Sequence, residues 1–196
     1  MVKKKTCVFI SGNGSNLKNL IYHSRNNNFP IKISLVICNN QKANGIKYAK
    51  KYKIPYILIN TNLYNYENKI VTNLRKYKIS LICLAGYMKI LSKNFIKEFG
   101  KKIINIHPSL LPKFKGLNTF TRILKNKEKK TGCTVHYVNE RLDDGRILDQ
   151  RSVEITKNDN PTTLANKVLI EEHKLYSKVV RNIVFKDNQF LTNPNL

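Results

Sequence analysis

No apolar run in this sequence approaches the roughly 20 residues a helix needs to cross a bilayer. The opening MVKKKTCVFISGNG is basic, but its apolar stretch breaks at Ser11 and Gly12, too early for a secretory signal. No membrane partner is expected, and the cytoplasm is the expected compartment. Metal-binding spacings are also missing. The four cysteines, Cys7, Cys38, Cys83 and Cys133, form no C-x-x-C pair and have no histidine cluster beside them. That argues against zinc and redox chemistry and for reduced, buried packing thiols, so no metal is expected. Acidic residues are scarce: 12 Asp and Glu stand against 36 Lys and Arg, a formal net charge of +24. Such a charge invites nucleic acid. The lysines, however, are scattered among an excess of Asn and Ile, and the densest runs, Lys3–Lys5 and Lys125–Lys130, carry no interleaved aromatics. A solvated basic surface that picks up RNA at low salt is the expectation, with no specific nucleic-acid partner.

What is present reads as one globular unit. A chain of 196 residues with 41% hydrophobic content buries one core, and nothing divides it, so a single domain over residues 1–196 is expected. Strand-like and helix-like stretches alternate. Thr6–Ile10 precedes a helix from Leu17 to about Arg25, and Ile33–Cys38 precedes Asn44–Tyr52. Ile54–Ile59, interrupted by Pro55, precedes a helix over Tyr66–Tyr77 with Ile70, Val71 and Leu74 on one face. Ile79–Ala85 is continuously apolar, as a strand buried on both faces must be. Ser92 is placed to cap Lys93–Phe99, which Gly100 ends, and Ile103–His107 is a fifth strand. Repeated βα units of this length predict a Rossmann-like, doubly wound α/β fold with right-handed crossovers. Cys133–Val138 and Ile147–Ile155, joined by a polar turn with Asp143, Asp144 and Gly145, predict a hairpin and hence an antiparallel C-terminal edge on a mainly parallel sheet. Pro161 suits the first turn of a long helix reaching Val184.

Two segments carry chemistry. In INIHPSLLPKFKG (Ile104–Gly116), Asn105 and His107 lie two apart, so one strand face presents an amide beside an imidazole. Pro108 then stops the strand, which sets the pair at a strand end, where open α/β sheets place ligand crevices. A buried, hydrogen-bonded polar pair is the alternative. The second segment, SGNGSN, joins the first strand to its helix, where backbone N–H groups can hold a phosphate. It is no Walker A loop, lacking G-K-[ST], and no dinucleotide fingerprint, since Leu17 replaces the third small residue and strand two ends in Asn39 and Asn40 rather than an acid. A phosphate site for a smaller ligand remains, with Asn13, Ser15 and Asn16 as side-chain donors.

In order along the chain, ISGNGSNL, LAGYMKILS, INIHPSLLPKFKG, TGCTVHYV and LDDG closely resemble the folate-dependent phosphoribosylglycinamide formyltransferase family, from about Cys7 to the last helix. The resemblance implies formyl transfer from 10-formyltetrahydrofolate, a cosubstrate, to the amine of glycinamide ribonucleotide in purine biosynthesis, by a monomer or homodimer acting on small molecules. It implies Asn105, His107 and Asp143 as the catalytic residues, with Asn105 and a cationic His107 facing the oxyanion of a tetrahedral carbon. For an Asp-Asp-Gly turn the plain alternative is turn chemistry. The resemblance further assigns Gly12, Asn13, Gly14, Ser15 and Asn16 to the phosphoribosyl group and Glu172 to the substrate amine. It assigns Met88, Lys89, Ile90, Leu91, Asn139, Glu140, Arg141, Leu142 and Asp143 to the folate. His136 is expected to be a packed residue or one that supports a catalytic neighbour, and not itself a catalyst.

Some positions depart from the family pattern. Lys89 stands where Arg is frequent, keeping the charge but losing the planar fork. No arginine occurs near Tyr64–Glu67, Asn118 replaces a histidine of some members, and Arg146 replaces a common proline. Three other readings compete. A methionyl-tRNA formyltransferase is expected to need a C-terminal RNA-binding region beyond Leu196. A formyltetrahydrofolate hydrolase is expected to carry a regulatory domain before Thr6. A basic nucleic-acid module would bind RNA tightly at physiological salt and transfer no formyl group.

Overall fold

The computed structural model describes residues 2–192, with side chains through residue 187. The elements run β1 (Lys4–Ile10), α1 (Ser15–Ser24), β2 (Ile31–Cys38), α2 (Ile46–Lys51), β3 (Tyr56–Leu58), α3 (Tyr66–Lys76), β4 (Leu81–Leu84), α4 (Lys93–Phe99), β5 (Lys102–His107), α5 (Thr119–Lys125), β6 (Lys130–Tyr137), β7 (Ile147–Glu154) and α6 (Pro161–Thr192). They build one seven-stranded sheet in the order β3-β2-β1-β4-β5-β6-β7. Pairing is parallel from β3 to β5 and antiparallel from β5 through β7, as the βα alternation and the hairpin predict. Chain order reverses beside β1: the chain first winds outward to β2 and β3, then crosses to β4. The crevice above β1 and β4 is therefore the switch point at which such sheets bind ligands.

Alternation along the strands divides the core in two. Val8 and Ile10 of β1 face a cluster with Leu17 and Leu20 of α1 and Tyr176 and Val180 of α6. Cys7 and Phe9 face the opposite cluster, with Ile70, Val71 and Leu74 of α3 and Phe95 and Phe99 of α4. All four cysteines are free and buried. Ser92 caps α4 as its spacing predicts: its Oγ accepts from Phe95 N at 3.0 Å, and Gly100, at φ 60°, ends the helix. None of the described helices is long and apolar enough to cross a membrane.

Three elements differ from the sequence expectation. β3 shrinks to three residues, because the segment before Tyr56 pairs only through the Pro55 carbonyl, which accepts from Val36 N. α5 has no conventional start signal: Asn118 sits at φ 54° and makes no side-chain cap. α6 runs past Val184, and its Asp187 carboxylate pairs with Lys4 (2.5 Å) and Lys102 at the base of β1 and β5. That tertiary tie holds the last turns where propensity alone does not.

α6 is also anchored at the active end of the sheet. The buried Tyr176 hydroxyl lies 2.9 Å from the Leu84 carbonyl, at the end of β4, and 3.2 Å from the Ile104 carbonyl, in the middle of β5.

Candidate active site

Asn105 and His107 project from the same face of β5 into a cavity of about 590 Å³. Its walls come from three loops: residues 86–91 after β4, Pro108 and residues 116–121 after β5, and the β6–β7 turn. Met88, Ile90, Leu117 and Leu142 are exposed at the wall, so the cavity offers an apolar mouth over a polar floor, the usual composition of a small-molecule site.

Strand register explains the floor. β6 runs antiparallel to β5 and sets His136 directly opposite Asn105, and directly opposed residues share a face. His136 Nδ1 lies 2.8 Å from the Tyr137 carbonyl, which can only accept, so the proton is on Nδ1 and Nε2 carries the lone pair. Asn105 Nδ2 donates to that Nε2 at 3.2 Å and reaches Asp143 Oδ1 at 3.4 Å, a long contact that is easily exchanged. His136 is thus packed, as expected, but it also orients the Asn105 amide. The hairpin legible in the sequence joins β6 to β7; the β5–β6 register that makes this pairing has no local signal.

Asp143 sits at φ 48° in the β6–β7 turn. Its Oδ2 accepts from Gly116 N at 2.8 Å and lies 3.3 Å from His107 Nδ1. Burial pushes this carboxyl up, but His136, the Gly116 N–H and His107 outweigh it, so Asp143 titrates below its ordinary value and is ionised at neutral pH. His107 Nε2 lies 2.9 Å from the Phe114 carbonyl, which places the ring proton on Nε2. Burial pulls the His107 ring below its ordinary value, and Asp143 and the Phe114 carbonyl only partly offset it. Burial therefore works against the cationic ring expected from the sequence, while both ring nitrogens face acceptors, the Phe114 carbonyl and the Asp143 carboxylate, as a protonated ring requires. The basic Nδ1 of His107 faces the carboxylate, so an arriving proton lands where a negative charge receives it.

The loop after β5 is held from below. Thr134 Oγ1, fully buried, donates to the Ser109 carbonyl at 2.6 Å, and it accepts from Leu111 N at 3.0 Å and Gln150 Nε2 at 2.8 Å. Sequence reading did not find this network, because its members are distant in the chain.

At the neighbouring strand end, the β1–α1 turn needs its glycines. Gly14 lies at φ 69°, and a Cβ there would meet Gly45 Cα at 2.6 Å. Gly45 N in turn donates to the Gly12 carbonyl at 3.0 Å. α1 has no side-chain cap, which leaves its first N–H groups for an anion. Ser11 couples this turn to the cavity: its Oγ donates to Asn39 Oδ1 at 2.6 Å and accepts from Met88 N at 2.8 Å. Gly12–Asn16 and Glu172 do not line the cavity itself; they flank it beyond Ser11 and Gly86. Of the expected folate residues, Met88, Lys89, Ile90, Leu91, Asn139, Arg141, Leu142 and Asp143 line the cavity. Glu140 does not; it pairs with Lys93 at 3.0 Å on an adjacent shallow cleft.

Glu172 is buried, and its Oε2 accepts from Asn16 Nδ2 at 2.7 Å, while Asn16 Oδ1 is buried without a partner. Burial raises the Glu172 carboxyl from 4.5 to about 7, with the Asn16 amide pulling it back. The pair therefore presents an unused acceptor and an acid poised to ionise, a setting for an amine or hydroxyl. An acid whose pKa rises on folding costs nothing below its ordinary pKa; the destabilisation grows as pH rises from the ordinary to the folded value and is fully present above it. Glu172→Gln is accordingly expected to stabilise the unliganded protein relative to the parent by ~2–3 kcal/mol at about pH 8, and by nothing measurable near pH 4.5. Urea titrations across that range test this, and a difference that does not change with pH would contradict it.

The comparisons agree with this geometry. The sequence profile described as formyl transferase matches residues 4–180. A phosphoribosylglycinamide formyltransferase of Bacillus subtilis is 35% identical over 190 residues, covering 95% of this chain and 97% of that protein. The trifunctional purine biosynthetic protein adenosine-3 of Homo sapiens is 40% identical over 178 residues; the match covers 89% of this chain but only 18% of that protein's length. Among solved structures, a phosphoribosylglycinamide formyltransferase from Anaplasma phagocytophilum superposes with a TM-score of 0.88 at 40% identity, covering 94% of this chain and 88% of that one. An amide, a histidine and an aspartate converging on one cavity, beside an uncapped glycine turn, are thus found on a chain that belongs to the formyl transferase family.

Proposed function

We propose that this chain transfers a formyl group from 10-formyltetrahydrofolate to the amine of 5-phosphoribosylglycinamide, giving formylglycinamide ribonucleotide and tetrahydrofolate in cytoplasmic purine biosynthesis. The observation that carries the reading is the convergence of Asn105, His107 and Asp143 on the floor of an apolar cavity. The cavity's size and its exposed Met88, Ile90, Leu117 and Leu142 fit a flat, partly apolar donor such as a folate. Asn139, Arg141, Leu142 and Lys89 complete that wall. Every group named comes from one chain, and the scheme fits a monomer or a homodimer equally.

Each residue then has a defined task. Gly12–Asn16 and the start of α1 hold the phosphoribosyl group through backbone N–H donors. Asn16 Oδ1 and Glu172 receive the amine end of that substrate. Asn105 and His107 Nε2 donate to the transferred carbonyl oxygen as charge develops on it, in a site from which water is largely excluded. In the free protein the Phe114 carbonyl occupies the His107 donor, so this loop must yield when substrates arrive. Asp143 holds the basic His107 Nδ1 beside a negative charge; the pair takes the proton lost by the attacking amine and returns it to the folate nitrogen as that nitrogen's bond to the formyl carbon breaks, releasing tetrahydrofolate.

The test is one transfer assay with three acceptors in parallel: glycinamide ribonucleotide, formyl-acceptor tRNA and water. Turnover confined to glycinamide ribonucleotide is expected. Preferential formylation of tRNA, or release of formate with no acceptor formylated, would overturn the assignment.

A further inference from the structure

Residues 1–66 contain eleven Lys and Arg residues and no Asp or Glu; all 12 acids begin at Glu67. That segment builds β1 to β3 with α1 and α2, so one whole edge of the molecule supplies no carboxylate of its own. On the helical face of this edge, cations alternate with aromatic rings. Lys18 and Lys47 lie 5.9 and 5.3 Å from the Tyr48 ring centre, and Arg25 and Lys51 lie 5.5 and 5.8 Å from that of Tyr52. Lys50 lies 6.0 Å from Tyr56. Five of the eight cation–ring pairs among the described residues fall here. The interleaving absent from the lysine runs Lys3–Lys5 and Lys125–Lys130 is present in Lys47–Tyr56, where helical spacing gathers it.

The pattern continues beyond α2. Tyr22 of α1 is 73% exposed, a large ring with nothing covering it. Beside it His23 stacks on Phe29, with ring centres 5.5 Å apart and planes at 30°. The chain there opens into a cleft of about 490 Å³ between the α1–β2 loop and α6, which Lys174, Lys178 and Arg181 border from one face of α6. Lys174 and Lys178 are held by Glu171 (2.7 Å) and Asp149 (2.9 Å), while Arg181 lies over Phe185 at 5.4 Å. None of these residues lines the catalytic cavity.

A ligand that matches this track must be a polyanion whose repeating unit also carries a flat ring. Phosphates answer the cations, and bases answer Tyr22 and the partly exposed rings of Tyr48 and Tyr52. We propose that the α1–α2–α6 face binds single-stranded nucleic acid without sequence preference, as a second site independent of formyl transfer. Charge supplies most of the affinity, and ring stacking sets the position of the strand.

Anisotropy of a labelled oligouridylate tests this, read against salt. Binding by the parent is expected to persist at about 0.15 M salt. The triple variant Arg25→Gln, Lys51→Gln, Arg181→Gln is expected to bind about tenfold more weakly there, and to lower the slope of log K against log salt by about 2. Tyr22→Ala is expected to weaken binding about fivefold with the slope unchanged. A control triple of equal charge loss on the far side, Lys125→Gln, Lys129→Gln, Lys130→Gln, is expected to behave as the parent. Formylation of glycinamide ribonucleotide at the parental rate shows that each variant is folded. The proposal is overturned if parental binding vanishes at about 0.15 M salt, if the control triple weakens binding equally, or if Tyr22→Ala binds as the parent does. Capture by phosphatidylserine vesicles that exceeds RNA binding, and is lost in the first triple variant, would assign the face to membranes and overturn it as well.

Discussion

Asp143→Asn is expected to leave the protein folded and to lower turnover by about 10³-fold, within the range that a positioned acid–base group supplies. The substitution is nearly isosteric, and an amide oxygen can still accept from Gly116 N, so the turn at φ 48° keeps its tie to the loop after β5. What disappears is the negative charge 3.3 Å from His107 Nδ1. Burial already disfavours the cationic ring, and Asp143 is the first of the groups that oppose it. Without the carboxylate, a proton arriving at Nδ1 meets a neutral amide; with the amide nitrogen turned inward, Nδ1 is occupied by a donor and takes no proton at all. Steady-state formylation of glycinamide ribonucleotide, with circular dichroism as the folding control, measures the effect. An unchanged rate would remove Asp143 from proton handling.

Asn105→Ala is expected to lower kcat by about 10²–10³ with little change in KM, the cost of losing one donor to a developing oxyanion. The free structure already uses both N–H bonds of Asn105, one on His136 Nε2 at 3.2 Å and a longer one on Asp143 Oδ1 at 3.4 Å. The longer bond is the one that transfers to a reacting oxygen, because it is worth least where it is. His136 keeps the amide turned the right way meanwhile. Should the loss appear in KM alone, Asn105 would be binding substrate uniformly rather than stabilising charge as it forms.

The parts of this molecule that were legible in its sequence are those governed by local periodicity. Ile70, Val71 and Leu74 were readable as one helix face, and Ser92 and Gly100 as the two ends of a helix, because each depends on neighbours within a few residues. The pairing of Asn105 with His107 was readable for the same reason, since two residues apart on a strand is a local relation. α5 was not, because it starts at an uncapped Asn118 and owes its place to packing of Ile123 in the core. The balance that sets the charge of His107 was not legible, because burial and the neighbouring Asp143 act on the ring in opposite directions and composition reveals neither. The Thr134 network and the contact of Glu172 with Asn16 join residues far apart in the chain, the latter by 156 positions. The cation–ring track was hidden in the same way: Arg25 and Tyr52 belong to different helices, and only the fold makes them adjacent.

The hydroxyl of Tyr176 bolts the last helix to two central strands, at the end of β4 and the middle of β5, one turn beyond the residue that meets Asn16. On the proposed assignment, grip on the nucleotide and delivery of the one-carbon unit are indexed to a shared rigid frame. Whatever closes over the substrates moves around that frame, and the distance between nucleophile and electrophile is inherited from the architecture before either reactant arrives.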